Sequence, residues 1–203
     1  IALGVSMAKG GDIIALGKSL KLAAAQIEKG LPLGVTLAQP ALPKSAVRQP
    51  FGWTTDDLVL GCFGFLLPHK GLDLIIGGLR GLAQATGKRV RLLALTAVLD
   101  ERSQQTLADC QDLALSLGVA DDIRWVTGFL PMDACLQQLA AVDYMVYAYG
   151  PTRESTSGAA PGGVARGATV LGSRQPMFAD VQTCTFTMKA DAPDGMVEAI
   201  AWL

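Results

Sequence analysis

Two turns of this 203-residue chain carry groups that could bind an anion such as a phosphate. The turn at 64–71 holds Lys70, which supplies a positive charge, and Gly71, which permits a tight approach to the following helix. The turn at 148–158 holds Glu154, followed by small residues that precede a second predicted helix. Backbone amides and the dipole at the start of a helix attract negative charge, so both turns predict an anion site.

The second turn is rich in small hydroxyl-bearing residues. Ser155, Thr156 and Ser157 could cap the helix predicted at 156–166, and Gly158 would let a pyrophosphate approach the backbone. Taken alone, this turn could equally be an ordinary connection between a strand and a helix. A second phosphate-binding turn in the same sheet is what favours the functional interpretation.

The elements that must position these turns alternate regularly along the chain. Apolar runs predict strands at about 58–64, 90–95, 123–126, 143–147 and 168–172. Amphipathic stretches predict helices between them at about 69–86, 101–117, 132–141 and 156–166. This alternation predicts an α/β fold with a Rossmann-like, doubly wound parallel sheet. Both turns then lie at the carboxyl ends of strands, the edge at which such sheets bind ligands.

The order and spacing of these groups resemble a known family. The residues that carry the resemblance are Gly64, Lys70, Gly71, Glu154 and the 155–158 turn. They are similar to the C-terminal, nucleotide-sugar-binding half of retaining glycosyltransferases of the GT-B class, the group 1 or family 4 type. The resemblance covers about 57–203 and extends to VTGFLP at 126–131 and to AAVDYMVYAYGPTRES around Glu154.

The resemblance implies a role for each part of the site. A nucleoside-diphosphate sugar would be the donor substrate, transfer would retain the anomeric configuration, and no metal or other cofactor would be needed. The base would lie near Val126 to Leu130, and the diphosphate between Lys70 and the amides of 155–158. Glu154 would be the catalytic residue beside the donor sugar. The acceptor is left open, and the family's N-terminal catalytic half matches no part of this chain, so the chain is expected to be inactive alone.

Two departures from the family pattern weaken the predicted site. Phe65 stands where the family has an arginine, so one of two phosphate-binding cations is missing. Gly162 stands eight residues after Glu154, where a second glutamate would hold the ribose hydroxyls. We therefore expect weak nucleotide binding. The single histidine, His69, precedes Lys70 and could add a hydrogen-bond donor there or be an exposed loop residue without a role.

The first part of the chain resembles a different family. Residues 1–39 predict a β-α-β unit similar to the porter domain of resistance-nodulation-division efflux pumps of the AcrB type. A proline-rich linker is predicted at 40–56, before the transferase-like domain at 57–203. The net charge is +4 over 1–50 and −5 over the rest, which supports a boundary between them. With its start at Ile1 and its stop inside a predicted helix, the chain is expected to be a chimeric fragment.

Composition excludes several function classes. A net charge of −1 argues against a nucleic-acid binder, and no apolar run of about 18 residues could span a membrane. No secretory signal is visible, so a cytoplasmic protein is predicted. The spacing of the cysteines does not fit a metal site and predicts reduced, buried thiols at Cys62, Cys110, Cys135 and Cys184.

Three function classes stay open on the sequence alone. The first is the nucleotide-sugar-binding half of a glycosyltransferase, with a missing partner domain that supplies the acceptor site. The second is a fragment of an efflux-pump porter domain fused to a Rossmann-like module. The third is a Rossmann-like module for another ligand. Coding sequence on either side of this segment would distinguish the first two.

Overall fold

A computed structural model of the protein describes residues 43–152, 154, 157–160, 168–189 and 191–203. The β-α-β unit predicted at 1–39 lies outside these described residues. So do Ser155, Thr156, Gly162 and most of the helix predicted at 156–166.

The described residues contain six strands that form one sheet. The strands are β1 (Leu58–Phe65), β2 (Val90–Ala97), β3 (Ile123–Val126), β4 (Tyr144–Tyr147), β5 (Thr169–Gly172) and β6 (Phe186–Thr187). Their order is β3-β2-β1-β4-β5-β6, and every neighbouring pair is parallel. This arrangement confirms the predicted α/β fold with a Rossmann-like parallel sheet. Strand β6 is an addition to the prediction, because its two exposed residues give no apolar run.

Helices α2 (Leu72–Thr86), α3 (Glu101–Ser116) and α4 (Met132–Leu139) connect the strands close to where the periodicity predicts helices. Helix α1 (Lys44–Arg48), which the periodicity does not predict, precedes β1, and helix α5 (Pro193–Trp202) follows β6. Helix α2 begins three residues later than predicted, because a 3₁₀ turn at Pro68–Lys70 and a left-handed Gly71 precede it. Helix α3 begins where Asp100 and Ser103 form a reciprocal capping box. Further 3₁₀ turns lie at Gln49–Phe51, Ala120–Asp122 and Pro176–Cys184.

Apolar side chains cover both faces of the sheet, because successive residues of a strand point to opposite sides. On one face, Leu60 and Leu92 pack with Ile75 of α2 and Met196 of α5. On the other face, Val59, Leu93 and Met145 pack with Leu139 of α4. The sheet is therefore the middle of three layers, as expected for a parallel sheet. Among the described residues, no helix is long and apolar enough to cross a membrane.

The segment before β1 is packed, which differs from the linker predicted at 40–56. Arg48 is only 1% exposed and donates hydrogen bonds to the carbonyl oxygens of Ala141 (2.8 Å), Thr54 (3.1 Å) and Asp57 (3.2 Å). The described part of the predicted linker, 43–56, is thus packed against the residues around it. The stretch has no periodic pattern of apolar residues. It is held in place by the buried Arg48 and the buried Trp53.

Asp143, which directly precedes β4, is the acidic partner of this anchor. Its carboxylate accepts hydrogen bonds from Lys44, from Arg48 (2.6 Å) and from the backbone amide of Val59 at the start of β1 (2.9 Å). Burial acts to raise the pKa of Asp143, but the bonds from Lys44 and Val59 and the charge of Arg48 outweigh it and lower the pKa. Asp143 therefore ties β1, β4 and α1 together at the amino-terminal edge of the sheet.

Three of the four cysteines are buried free thiols, as predicted. Burial raises the pKa of Cys62 to about 12 and that of Cys110 to about 11, so both are unreactive thiols at neutral pH. Cys135 is also buried, and the side chain of Cys184 lies outside the described part of the chain.

Candidate functional site

The candidate site lies at the carboxyl ends of β1 and β4, the two central strands. Strand β1 lies between β2 and β4 in the sheet. The chain passes from β1 through α2 to β2 on one side, and β4 lies on the other side. The strand order therefore reverses between β1 and β4, and such a reversal opens a crevice at the carboxyl edge. The turn at 64–71 follows β1 and the segment from 148 follows β4, so both predicted anion-binding turns border this crevice.

The two turns touch through their backbones. Gly71 has φ +67°, and a Cβ atom there would lie 1.9 Å from the carbonyl oxygen of Ala148. The amide of Gly150 donates to the carbonyl oxygen of His69 at 2.7 Å. Gly64 also has a positive φ, +131°, which side chains rarely adopt. Gly71, which the sequence singled out for a tight approach to the following helix, thus lets one turn rest on the other.

Lys70 and Glu154, which lie far apart in the sequence, meet at the crevice. Nζ of Lys70 lies 2.7 Å from Oε2 of Glu154, and Nε2 of His69 lies 3.1 Å from Oε1 of the same carboxylate. Hydrogen bonding from Lys70 lowers the pKa of Glu154, and the electrostatic effects of Lys70 and His69 add to it, so that together they outweigh the opposing effect of burial. His69 therefore has a partner, and the three side chains form one charged cluster.

The ring of Tyr149 contacts this cluster through Lys70. Nζ of Lys70 lies 4.1 Å from the centroid of the Tyr149 ring, within the range of a cation–π contact. Burial raises the pKa of Tyr149 to about 12, opposed by a hydrogen bond with the Ser157 side chain, so the ring stays neutral at physiological pH. Tyr149 gave no recognisable signal in the sequence beyond its place just after a strand.

Hydrogen bonds of two side chains, Tyr147 and Ser157, hold the second turn in place. The Tyr147 hydroxyl donates to the carbonyl oxygen of Ala159 at 2.8 Å, and the buried Ser157 hydroxyl accepts from the amide of Ala160 at 3.3 Å. The hydroxyl of Ser157 is thus engaged within the protein. Gly158 is exposed, and a Cβ atom there would meet no described atom within 4 Å. With respect to the described atoms, the space beside its backbone is therefore open.

An aromatic pair occupies the rim where the family pattern has a cation. The rings of Phe65 and Phe129 are stacked, with centroids 6.4 Å apart and planes inclined by 15°. Their exposed fractions are 48% and 75%. Val126 and Leu130, predicted to lie near a base, are partly buried and pack against the core on the α4 side of the sheet. This part of the edge is therefore apolar.

A small cavity of about 10 Å³ lies beneath the crevice, between the ends of β1, β2 and β4 and the start of α2. Lys70, Leu72, Thr96 and Tyr149 are among the residues that line it. Thr96 did not stand out in the sequence, since a threonine near the end of a buried strand is common.

No family profile matches this chain, and neither does any curated protein. Solved structures do resemble it. The Anabaena protein Alr3699/HepE in complex with UDP and glucose has a TM-score of 0.65 at 18% identity, over 78% of this chain and 41% of that one. The C-terminal domain of a group 1 glycosyl transferase, LpcC from Francisella tularensis, has a TM-score of 0.67 at 12% identity, over 81% and 83%. This chain shares their fold.

A third structure agrees with these two. WaaG, a glycosyltransferase involved in lipopolysaccharide biosynthesis, has a TM-score of 0.64 at 18% identity, over 81% of this chain and 42% of that one. This chain spans about two fifths of the length of HepE and WaaG. The fold expected for 57–203, that of the Rossmann-like domain in GT-B glycosyltransferases, is thereby confirmed. The porter-domain resemblance of 1–39 finds no support in these comparisons.

Proposed function

We propose that this chain is the nucleotide-sugar-binding half of a retaining GT-B glycosyltransferase that acts in the cytoplasm. A nucleoside-diphosphate sugar would bind at the crevice between β1 and β4, and a second, N-terminal transferase domain would bring the acceptor. The observation that carries this proposal is the meeting of Lys70 and Glu154 at that crevice, 2.7 Å apart, on a fold shared with glycosyltransferases.

The site offers a diphosphate both a cation and accessible backbone. Lys70 can place its ammonium group against a phosphate, while the open backbone at Gly158 offers room for the other end of the diphosphate. In catalysis, these groups would stabilise the negative charge that builds on the leaving diphosphate. Glu154 would face the donor sugar once the diphosphate takes its place beside Lys70.

A Rossmann-like module for another ligand is the second candidate. The exposed pair of Phe65 and Phe129 favours it, because an apolar rim replaces the arginine that the family uses for phosphate. The two candidates differ in whether binding depends on a diphosphate, which titration can decide.

Replacing Lys70 with methionine should weaken nucleoside-diphosphate binding by roughly 10- to 100-fold, because charge-assisted hydrogen bonds are worth about 1.5–3 kcal/mol. The measurement is calorimetric titration of the purified chain with UDP, GDP and ADP. Lys88→Met is the matched control, because Lys88 is exposed and lies before β2, at the opposite edge of the sheet. A wild-type affinity that survives Lys70→Met would place the phosphate elsewhere.

Restoring the missing cation should tighten binding. Phe65→Arg is expected to increase diphosphate affinity by about 10-fold or more, because Phe65 is half exposed at the crevice and a guanidinium group can form two bonds with a phosphate. Phe65→Gln, which adds polarity without charge, is the control for loss of the ring. Gly162→Glu tests the second departure in the same titration. An unchanged affinity in Phe65→Arg would argue against a diphosphate at this edge.

A further inference from the structure

Thr96 is buried at the candidate site without a visible partner for its hydroxyl group. The residue is 5% exposed, and among the described residues nothing forms a hydrogen bond with its Oγ1 atom. It lies one residue before the end of β2, in register with Gly64 of β1. Buried polar side-chain atoms nearly always have a partner, because a buried hydroxyl without one lowers the stability of the fold. The exception therefore points to a partner outside the described residues.

The space beside Thr96 is the small cavity under the crevice. Its volume, about 10 Å³, is close to that of one oxygen-sized group. Other polar groups around it already have partners: the Cys62 thiol contacts the carbonyl oxygen of Leu93, and the Tyr147 hydroxyl donates to Ala159. Lys70 also lines the cavity, and its ammonium group has three donors, so it can bind a second oxygen besides Glu154.

The start of α2 adds a third favourable group. Leu72, the first residue of this 15-residue helix, lines the same cavity. No side chain among the described residues caps the helix, so the positive end of its dipole lies at this end, although Asp73 in the first turn adds a negative charge there. Thr96, Lys70 and the first residue of α2 thus all line one small space.

We propose that this cavity is an oxygen subsite of the ligand-binding site. It takes one phosphoryl oxygen of the diphosphate that Lys70 binds, and Thr96 donates its hydroxyl hydrogen to that oxygen. A phosphoryl oxygen suits the cavity because it only accepts hydrogen bonds, whereas the Thr96 hydroxyl and the Lys70 ammonium group can both donate one. The inference rests on the proposed function, which supplies the diphosphate.

The test replaces Thr96 with valine, which keeps the shape and removes the hydroxyl. Affinity for UDP should fall about 10-fold, because the phosphoryl oxygen loses a hydrogen bond that water cannot replace in the cavity. The melting temperature of the ligand-free protein should rise by about 3 °C, because a buried hydroxyl without a partner is removed. Thr96→Ser, which keeps the hydroxyl, should restore UDP affinity to within about 3-fold of the wild type.

The control is Thr86→Val at the far end of α2. The Thr86 hydroxyl already donates to the carbonyl oxygen of Leu82 at 2.8 Å, so its removal should not raise the melting temperature or change UDP affinity. An unchanged UDP affinity in Thr96→Val would overturn the oxygen subsite, whichever way the melting temperature moves, and would leave the proposed function standing. If the wild type bound none of UDP, GDP and ADP, the proposed function would fail and the subsite with it.

Discussion

Replacing Arg48 with methionine is expected to lower the free energy of unfolding by about 3–5 kcal/mol. Arg48 is almost wholly buried, and it donates to three carbonyl oxygens and to the Asp143 carboxylate. Methionine fills similar space but donates nothing, so a partly buried carboxylate and several carbonyl groups lose a partner at once. Urea denaturation of the purified chain, followed by circular dichroism, measures the change.

Lys44→Met is the matched control for this prediction. Lys44 contacts the same carboxylate of Asp143, but its side chain is 49% exposed. An exposed ion pair contributes about 0–1 kcal/mol, so this control should cost far less than Arg48→Met. Equal costs for the two variants would mean that α1 and the segment up to β1 are not anchored by the buried guanidinium group.

Replacing Gly71 with alanine is expected to cost about 3 kcal/mol or more of stability and to disturb the crevice. Two effects combine. The left-handed backbone at φ +67° strains any side chain, and a Cβ atom would lie 1.9 Å from the carbonyl oxygen of Ala148, which is backbone and cannot simply rotate away. The turn after β1 would have to separate from the segment after β4.

Gly87→Ala is the matched control, which measures the first effect alone. Gly87 has nearly the same backbone conformation, φ +68°, but a Cβ atom there meets nothing within 4 Å among the described residues. Its replacement should therefore cost only the backbone strain, about 1–2 kcal/mol. Thermal and urea unfolding of both variants give the difference. If Gly71→Ala were no more costly than Gly87→Ala, the close contact between the two turns would be refuted.

The sequence predicts the regular part of this fold well. Strands and helices alternate with clear periodicity, so the parallel sheet follows, and with it the shared edge of Lys70 and Glu154. The anchor at Arg48 escaped prediction because it depends on one long side chain that reaches carbonyl groups distant in sequence. Patterns of apolar residues carry no information about such a contact.

The finer features of the site escaped prediction for a related reason. Phe65 ends β1 and Phe129 follows β3, so only the pairing of both strands with β2 brings the rings together. Whether Thr96 has a hydrogen-bond partner depends on what surrounds the end of β2, not on its neighbours in the chain. The glycines were easier to recognise, because a positive φ leaves few other residue types.

The pairing of β1 and β4 has a consequence for how the domain unfolds. Strand β1 pairs with β2 along its whole length, whereas among the described residues its ladder with β4 is limited to Leu60 with Tyr144 and Gly61 with Met145. Within the sheet, two halves thus meet at a short seam, with the Asp143 anchor at one end and the contact of Gly71 with Ala148 at the other, and outside the sheet the packing of α5 on α2 also joins them. A ligand held by Lys70 in one half and by the 157–160 turn in the other would bridge that seam. Its binding free energy would then couple the two halves and make their unfolding more cooperative.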